Sequence, residues 1–568
     1  MRFLIPFVAV CLANALAIAD PLKYMPLEAG VVMKVESPRT LVEGFVKLDA
    51  YKEVQAFPQV KEVLDSANAR RLFQLLKYVE AETKTAWPEL IDKVAGNGIA
   101  LGFKPGMDNA PVLLVMEGTD EAIVTKVFNI FLAGVKDEAA RNDSVKIIES
   151  EIAGVRTLQL GDATFARHGS LIFISNKKVA LEAGLTLALK PGERKSILEH
   201  ATLGKARKLV GDKAAAWLWF DLAAAKETQE GKDYFANSRK DLFQLLAFGS
   251  TSDAARRSEF VAAGLYDTPK GYTFSVRMPA KRADLDDVMY VHVPPKSLIG
   301  SKPLLEPKGV VLSQSFYLDV GYLWGARQRI IANEELKSLE TGVAQLSKLL
   351  PNTSMEELLV QSGAYHRFVM AHTGEKLYTN EPNQLIPPTA YVGTIRFPEF
   401  GKSINGILRA GGLVAGFQTG WTMKEEKHDG VAIVTYRFPD VRDAKFDDPD
   451  HLRFNAAPSF AIVNDSLIVA STPGIIKELI PILRMESKEA GEPEVWRMKG
   501  YAAGAADVLA AYPEATVTDA ILRQGITLAE AKQQTIAFSK WLRKLGSTTI
   551  SIQHDVDMYK FEIEVKLK

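Results

Sequence analysis

The stretch ATFARHGSLIFISNKKVALEAGLTLAL at residues 163–189 decides the fold, because FAIVNDSLIVASTPGIIKELIPIL at residues 460–483 repeats its plan. Each stretch contains a β-rich run, a short polar turn, a second β-rich run and an amphipathic helix. The turns, at residues 168–170 and 464–466, are too short for a crossover connection, so the two strands that each turn joins run antiparallel. The sequence therefore predicts a hairpin followed by a helix, twice in one chain.

Further matches flank both stretches in the same order. They are ESEIAGVR (149–156) with EEKHDGVA (425–432), Gly30-Val31-Val32 with Gly309-Val310-Val311, VLLV (112–115) with YVGT (391–394), and YTFSV (272–276) with YKFEI (559–563). An ordered series of matches at similar spacing indicates an internal duplication.

These patterns predict an α+β fold made of two tandem copies of one module. In each module we expect an antiparallel sheet with helices packed on one face, and we expect the two copies to be related as a pseudo-twofold duplication. The predicted boundaries are 20–285 for the first repeat, 286–306 for a linker rich in proline and charge, and 307–568 for the second repeat. The sequence leaves open whether the halves share one sheet or form separate lobes.

Residues 1–19 have the three-part pattern of a signal peptide: a positive start, an apolar run at residues 3–16, and small residues at Ala17 and Ala19 before Asp20. The apolar run is shorter than the roughly 20 residues of a membrane-spanning helix. We therefore expect cleavage after Ala19, a periplasmic or secreted protein, and no integral membrane span afterwards. Cys11, the single cysteine, lies in this segment, so the mature chain is expected to be cysteine-free.

Charge and motifs exclude several classes of function. The 568 residues include 69 Lys and Arg and 69 Asp and Glu, without a block of like charge, so we expect no nucleic-acid partner. The sequence contains no phosphate-binding loop, G-x-S-x-G elbow or H-E-x-x-H pair. We therefore predict no catalytic, cofactor-binding or metal-binding residues and no cofactor, and we favour a protein that is not an enzyme.

A few polar and aromatic groups still deserve individual predictions. Trp217 and Trp219, in AWLWF (216–220), share one face of a predicted strand, and paired aromatics can form a platform for a sugar or an apolar ligand. They are the candidate ligand platform, with burial in the core as the more common alternative. His366 and His372 are expected to be strand histidines without a special role, and the acidic run DAKFDDPD (443–450) is expected to be a solvated loop.

The stretch at residues 163–189, with the opening GVVMKV (30–35) before a helix, resembles large exported bacterial proteins of unknown function that are common in planctomycete-type and cyanobacterial genomes. The resemblance covers most of the chain after residue 19 and implies export and an α+β fold. Because that family has no established activity, the resemblance implies no functional residues.

Three functions are compatible with these features. The first is a non-enzymatic cell-envelope protein that binds or scaffolds a partner protein. The second is a periplasmic carrier of a lipid or other apolar ligand, which predicts an open apolar cavity of roughly several hundred Å³ between helix and sheet. The third is a hydrolase with spatially assembled carboxylates, which predicts two acids about 5–10 Å apart in a cleft.

Overall fold

The computed structural model describes residues 20–567, apart from residues 56, 107–108, 142–146, 238–241, 296, 298, 332, 349, 351–352, 443–446 and 488. The predicted signal peptide, with Ala17 and Ala19, lies outside the described residues. Within them, no helix combines the length and the apolar character needed to cross a membrane. The chain divides into two compact units, Met1–Gly231 with Glu259–Asp267, and Lys232–Ser258 with Thr268–Lys568.

The first unit contains a wholly antiparallel sheet of nine strands among its described residues. The strands are β1 (Val31–Val35), β2 (Ile99–Phe103), β3 (Val112–Glu117), β4 (Ile147–Ile152), β5 (Val155–Leu160), β6 (Ala163–His168), β7 (Leu171–Ser175), β8 (Ala216–Asp221) and β9 (Phe260–Thr268). Their order across the sheet is β9-β8-β1-β2-β3-β7-β6-β5-β4.

The helices that begin in this unit are α1 (Pro38–Lys47), α2 (Asp49–Val54), α3 (Pro58–Leu64), α4 (Ala67–Thr83), α5 (Trp87–Ala95), α6 (Glu121–Arg141), α7 (Lys178–Leu189), α8 (Leu203–Val210), α9 (Leu222–Glu227) and α10 (Gln229–Asn237). Short 3₁₀ turns lie at Pro21–Tyr24 and Ile197–Glu199.

Helices cover both faces of this sheet, whereas the sequence predicted helices on one face only. On β7, Phe173 belongs to the same buried cluster as Leu181 of α7, while Ile172 packs with Val124 and Phe128 of α6. Because neighbouring residues of a strand point to opposite faces, a strand covered on both sides is apolar at successive positions. This double covering explains the uninterrupted apolar run of β7.

The second unit contains an antiparallel sheet of eleven strands among its described residues. The strands are β10 (Gly271–Met278), β11 (Val310–Tyr317), β12 (Ser362–Ala371), β13 (Thr389–Ile395), β14 (Thr422–His428), β15 (Val431–Arg437), β16 (Ser459–Val463), β17 (Ser466–Ala470), β18 (Glu494–Tyr501), β19 (Leu545–His554) and β20 (Tyr559–Leu567). Their order is β10-β20-β19-β18-β11-β12-β13-β17-β16-β15-β14.

Its helices are α11 (Leu242–Arg257), α12 (Val320–Ile330), α13 (Asn333–Ser347), α14 (Met355–Gln361), α15 (Pro398–Thr419), α16 (Pro473–Met485), α17 (Ala502–Ala511), α18 (Glu514–Gln524) and α19 (Leu528–Leu542). Short 3₁₀ turns lie at Arg282–Asp284, Asp287–Val291 and Leu452–Asn455. The α+β class predicted from the sequence is therefore confirmed.

Several described side chains of the predicted linker, residues 286–306, are buried in the second unit. The linker contains the 3₁₀ turn Asp287–Val291, and the side chains of Met289, Val293 and Leu305 are fully buried. The boundary between the compact units falls inside the predicted first repeat, because α11 and β10 belong to the second unit. Strand β10 belongs there because it pairs with β20 from Gly271 to Met278.

The sheets of the two units share one strand order. The first sheet, β9-β8-β1-β2-β3-β7-β6-β5-β4, corresponds strand by strand to β19-β18-β11-β12-β13-β17-β16-β15-β14 in the second. The β4–β5 turn has φ of +53° at Ala153 and +80° at Gly154, and the β14–β15 turn has +49° at Asp429 and +77° at Gly430. Two successive positive φ values identify both as type I′ hairpin turns.

The next hairpin in each unit corrects one detail of the sequence alignment. In the first unit His168 pairs with Leu171, and in the second Val463 pairs with Ser466. The first residue after the turn is therefore Leu171 in one hairpin and Ser466 in the other, whereas the sequence alignment matches Leu171 with Leu467.

Candidate functional site

A cavity of about 750 Å³ lies between α11 and one face of the sheet in the second unit. This volume falls within the roughly 300–1,000 Å³ that is usual for small-molecule sites. Its lining is mostly apolar and consists of Leu246, Ala247, Phe248, Ser250, Thr251, Val276, Met278, His292, Gln314, Phe316, Tyr317, Leu318, Val495, Trp496, Ile550, Ile552, Tyr559 and Phe561.

The floor of the cavity is a row of five cross-strand neighbours, which we call the floor row. In order across the strands it consists of Phe316, Trp496, Ile552, Phe561 and Val276. Since adjacent strands lie about 4.8 Å apart, the four spacings make the floor row about 19 Å long. All five side chains line the cavity and are only half-buried, so a long apolar surface faces the open space.

Alternation along the strands produces this floor. On the opposite face, Ser275 and Ser315 are fully buried, and Ser551 is nearly so. Ser315 Oγ donates a hydrogen bond to the Lys302 carbonyl at 2.6 Å, so chain packs closely against that face. Where a bulky residue and a serine are neighbours in a strand, the bulky side chain therefore points to the cavity and the small hydroxyl points to the packed face.

The roof of the cavity is α11, which is held against a buried histidine. His292 Nε2 donates to the Leu245 carbonyl at 2.9 Å. Gly249 makes this approach possible, since a Cβ there would lie 3.1 Å from a Leu245 methyl carbon and 3.4 Å from His292 Nε2. Burial lowers the pKa of His292 to about 4, so the imidazole is neutral at physiological pH.

Two hydroxyl groups of the cavity meet where Tyr559 approaches α11. The hydroxyls of Tyr559 and Thr251 share a hydrogen bond of 2.7 Å. The ring of His554 packs edge-on against Tyr559, with 5.1 Å between ring centroids. Burial, reinforced by the charges of Arg257 and Arg282, lowers the pKa of His554 to about 3.

The predicted ligand platform is part of the core of the first unit. Trp217 and Trp219 are 3% and 0% exposed and belong to one hydrophobic cluster. Trp217 Nε1 donates to Glu36 Oε1 at 2.7 Å, and Trp219 Nε1 donates to Thr202 Oγ1 at 3.1 Å. Because both indoles are covered and both N–H groups are satisfied, neither offers a stacking surface to a ligand, which corrects the platform prediction.

His366 and the acidic run at residues 443–450 make hydrogen bonds within the protein. His366 Nδ1 shares a hydrogen bond of 2.6 Å with the Tyr391 hydroxyl, and His366 Nε2 donates to the Leu318 carbonyl at 2.9 Å. Asp448 accepts from the backbone N–H groups of Leu452 and Arg453. Asp443 lies outside the described residues. Among those described, no group of three or more His, Cys, Asp or Glu is placed to hold a metal ion.

Sequence reasoning missed the residues of the cavity. The available signal was the alternation of bulky residues with serine or polar residues in VLSQSFY (311–317), TISIQH (549–554) and YTFSVRM (272–278). Such alternation is typical of strands with two different faces. It does not reveal that one of those faces borders an open cavity.

Comparisons with known proteins assign no family to this chain. No protein-family model matches it, and no curated protein matches it. Crystal structures of TP0453 are similar over part of the chain: crystal form I at 10% identity with a TM-score of 0.25, covering 48% of this chain and 82% of that one. Crystal form III gives the same identity and TM-score and covers 50% of this chain and 89% of that one. A TM-score of this size supports no inference about fold or function.

Proposed function

We propose that this protein is an exported carrier that binds an apolar ligand in the cavity beneath α11. The observation that supports the proposal is the floor row, five large apolar side chains that remain half-buried around about 750 Å³ of open space. A ligand that removed this surface from water would gain roughly 25 cal/mol for each Å² of apolar area buried. Export is inferred from the pattern of residues 1–19, as predicted above.

Filling the cavity tests the carrier function. We expect Ile552→Trp, in the middle of the floor row, to abolish binding of 1-anilinonaphthalene-8-sulfonate, because the indole would occupy the space of the probe. Stability should be unchanged or raised by about 0.5–2 kcal/mol, as for other cavity-filling substitutions. Fluorescence titration measures the first effect and urea denaturation the second.

Leu522→Trp is the matched control, because Leu522 lies on α18 with its side chain 78% exposed. This variant adds the same ring system without entering the cavity and should bind the probe like the unchanged protein. Undiminished probe affinity in a folded Ile552→Trp variant would show that the probe binds elsewhere, and the carrier proposal would then fail.

We also propose that the chain arose by internal duplication. The shared strand order and the two type I′ turns support this history. A pair of equivalent ion pairs supports it as well: Glu149 of β4 contacts Lys136 of α6 at 2.7 Å, and Glu425 of β14 contacts Arg409 of α15 at 2.9 Å. In both units an edge-strand glutamate is thus paired with a residue of the helix that follows β3 or its counterpart β13.

The pairing of β10 with β20 supports the pseudo-twofold relation. The sequence alignment makes Phe274 equivalent to Phe561 and Val276 equivalent to Ile563. In the structure Phe274 pairs with Ile563, and Val276 pairs with Phe561. The partner of Phe274 is thus the residue equivalent to Val276, and the partner of Val276 is the residue equivalent to Phe274. Such a reciprocal exchange is the self-complementary pattern of an isologous contact.

A second candidate function, binding of a protein partner, draws support from an exposed apolar patch on α15. Leu413, Val414 and Phe417 are 52%, 63% and 92% exposed, and their spacing places them together on the helix surface. We take a second copy of the chain as the partner to be tested. We expect a concentration-dependent dimer in light scattering that Phe417→Glu abolishes; a monomer at every concentration would contradict self-association through this patch.

The hydrolase alternative draws no support from the cavity. None of the described residues that line it is an aspartate or a glutamate. The pair of convergent carboxylates that such an enzyme needs would have to lie elsewhere in the chain, and the hydrolase function stays a prediction.

A further inference from the structure

The polar groups at one end of the cavity bear on the chemical class of the ligand, and this inference rests on the carrier function proposed above. His554 lies on the cavity face of the sheet, because Ile550, Ile552 and His554 alternate along β19 and therefore point the same way. The imidazole is one position beyond the floor row and packs directly behind Tyr559, which lines the cavity.

His554 is buried without hydrogen-bond partners. Its side chain is 3% exposed, and neither Nδ1 nor Nε2 has a partner among the described residues. Leaving a buried polar group without a hydrogen bond is destabilising, and a group of this kind in a native structure calls for an explanation such as an absent partner. A neutral imidazole offers one donor and one acceptor.

A guanidinium close by also has an unused donor. Arg257 follows Ser250 by two helical turns on α11, so both lie on the same side of that helix. Its Nε donates to Asp253 at 2.8 Å and its Nη1 to the Lys281 carbonyl at 2.6 Å, while Nη2 is buried without a partner among the described residues.

A second cation completes the surroundings of the imidazole. The guanidinium of Arg282 donates to three backbone carbonyls, including that of His554 at 3.0 Å. The groups that act electrostatically here are therefore Arg257 with its partner Asp253, Arg282 with the more distant Asp555, and His292. The unused atoms in this set are mainly donors, which suit an acceptor group from the ligand.

The hydroxyls at the cavity wall add further donors. In the Thr251–Tyr559 hydrogen bond one hydroxyl donates and the other keeps a hydrogen for a further acceptor. A carboxylate accepts about four hydrogen bonds, and its bonds to charged donors are stronger than those of a neutral oxygen. A carboxylate therefore matches this set of donors, which comprises two hydroxyls at the cavity wall and, behind them, an imidazole N–H and a guanidinium N–H.

We propose that the carrier binds a single-chain carboxylic acid, with its carboxylate in the recess formed by Thr251, Tyr559, His554 and Arg257. The hydrocarbon tail lies along the floor row toward Trp496 and Phe316. The carboxylate replaces the hydrogen bond between Thr251 and Tyr559 and accepts from the donors behind it. From Phe561, beside the recess, to Phe316 the floor row crosses three strand spacings of about 4.8 Å, so about 14 Å of apolar surface is available to an extended chain.

The test compares ligands that share a tail and differ in the head: palmitate, palmityl alcohol, methyl palmitate and palmitylamine. Each displaces a fluorescent apolar probe from the full chain. We expect palmitate to bind about tenfold or more tightly than the ester and the alcohol, because hydrogen bonds to a charged group are stronger than those to a neutral one.

Two variants locate the effect. His554→Leu should weaken palmitate binding about tenfold, leave methyl palmitate unchanged, and raise the thermal midpoint of the free protein, because it removes a buried group that has no partner. Thr251→Val keeps the side-chain volume and should also reduce the preference for palmitate over the ester. It serves as the independent variant if His554→Leu fails to fold.

The outcomes separate this inference from the function on which it rests. Equal affinity for palmitate and methyl palmitate, or tighter binding of palmitylamine, would overturn the carboxylate recess and leave the carrier function standing. Failure of all four ligands to displace the probe would overturn the carrier function itself. A His554→Leu variant that weakens palmitate and ester equally would show that His554 only shapes the cavity.

Discussion

Acidification from pH 7 to pH 4.5 is expected to lower the free energy of unfolding by about 3 kcal/mol for each of two histidines, His292 and His554. Burial lowers the pKa of these rings to about 4 and about 3, whereas the unfolded chain titrates near 6.5. Each full pKa unit corresponds to about 1.4 kcal/mol, and the pH interval spans about two units below 6.5. Urea denaturation at several pH values measures the loss.

The sign follows from proton binding. Between pH 6.5 and pH 4.5 the unfolded chain protonates both histidines while the native chain keeps them neutral, so the unfolded state binds more protons and stability rises with pH. The contribution of each ring is therefore fully present above about pH 6.5 and is lost as the pH falls toward the native pKa. Burial raises the pKa of Glu117, which acts in the opposite direction, so single variants are needed to isolate the histidines.

His554→Leu provides that isolation, because it removes the titrating ring without adding charge. The stability of this variant should depend less steeply on pH between 6.5 and 4.5, by about 1.4 kcal/mol for each pH unit. His168→Leu is the matched control, since His168 is exposed and its replacement should leave the slope unaltered. An unchanged slope in His554→Leu would mean that the ring is protonated or solvated in the native protein.

Local features of the fold were predictable because they depend on a few neighbouring residues. The turns at Ala153-Gly154 and Asp429-Gly430 need two residues with positive φ, and short connections of this kind require antiparallel strands. The helices that cover the second face of the first sheet depend instead on contacts between residues far apart in the chain. The buried segment around Met289 shows no helical period in the sequence, because a single 3₁₀ turn is too short for one.

The cavity was unpredictable for a related reason. Its floor row combines Val276, Phe316, Trp496, Ile552 and Phe561 from five strands, and each of these residues looks in sequence like an ordinary core position. The pattern AWLWF was conspicuous only because two tryptophans stand close together. Whether an apolar strand face meets a helix, a second layer of side chains or an open space depends on how the helices pack, and no local pattern encodes that.

Replacing a core tryptophan and a cavity tryptophan by alanine should have different effects on stability and on ligand binding. Trp219 is fully buried in the first unit, and Trp219→Ala should lower the free energy of unfolding by about 3–5 kcal/mol, as expected for truncating a buried aromatic. Trp496 is half-buried on the floor row. Because open space already adjoins the ring, Trp496→Ala should lower the free energy of unfolding by only about 1 kcal/mol. The same variant should weaken binding of an apolar probe, whereas folded molecules of Trp219→Ala should bind the probe normally.

Urea denaturation and probe titration of the two variants, side by side, measure both effects. The stability comparison is informative without any knowledge of the natural ligand. If Trp496→Ala destabilises the protein as strongly as Trp219→Ala, then Trp496 is packed on all sides in solution and the space beneath α11 is closed. If Trp496→Ala lowers the free energy of unfolding only slightly and also weakens probe binding, the ring is part of an open binding surface. A half-buried indole still has apolar area that a ligand can cover, whereas the area of a fully buried indole is already covered by the protein.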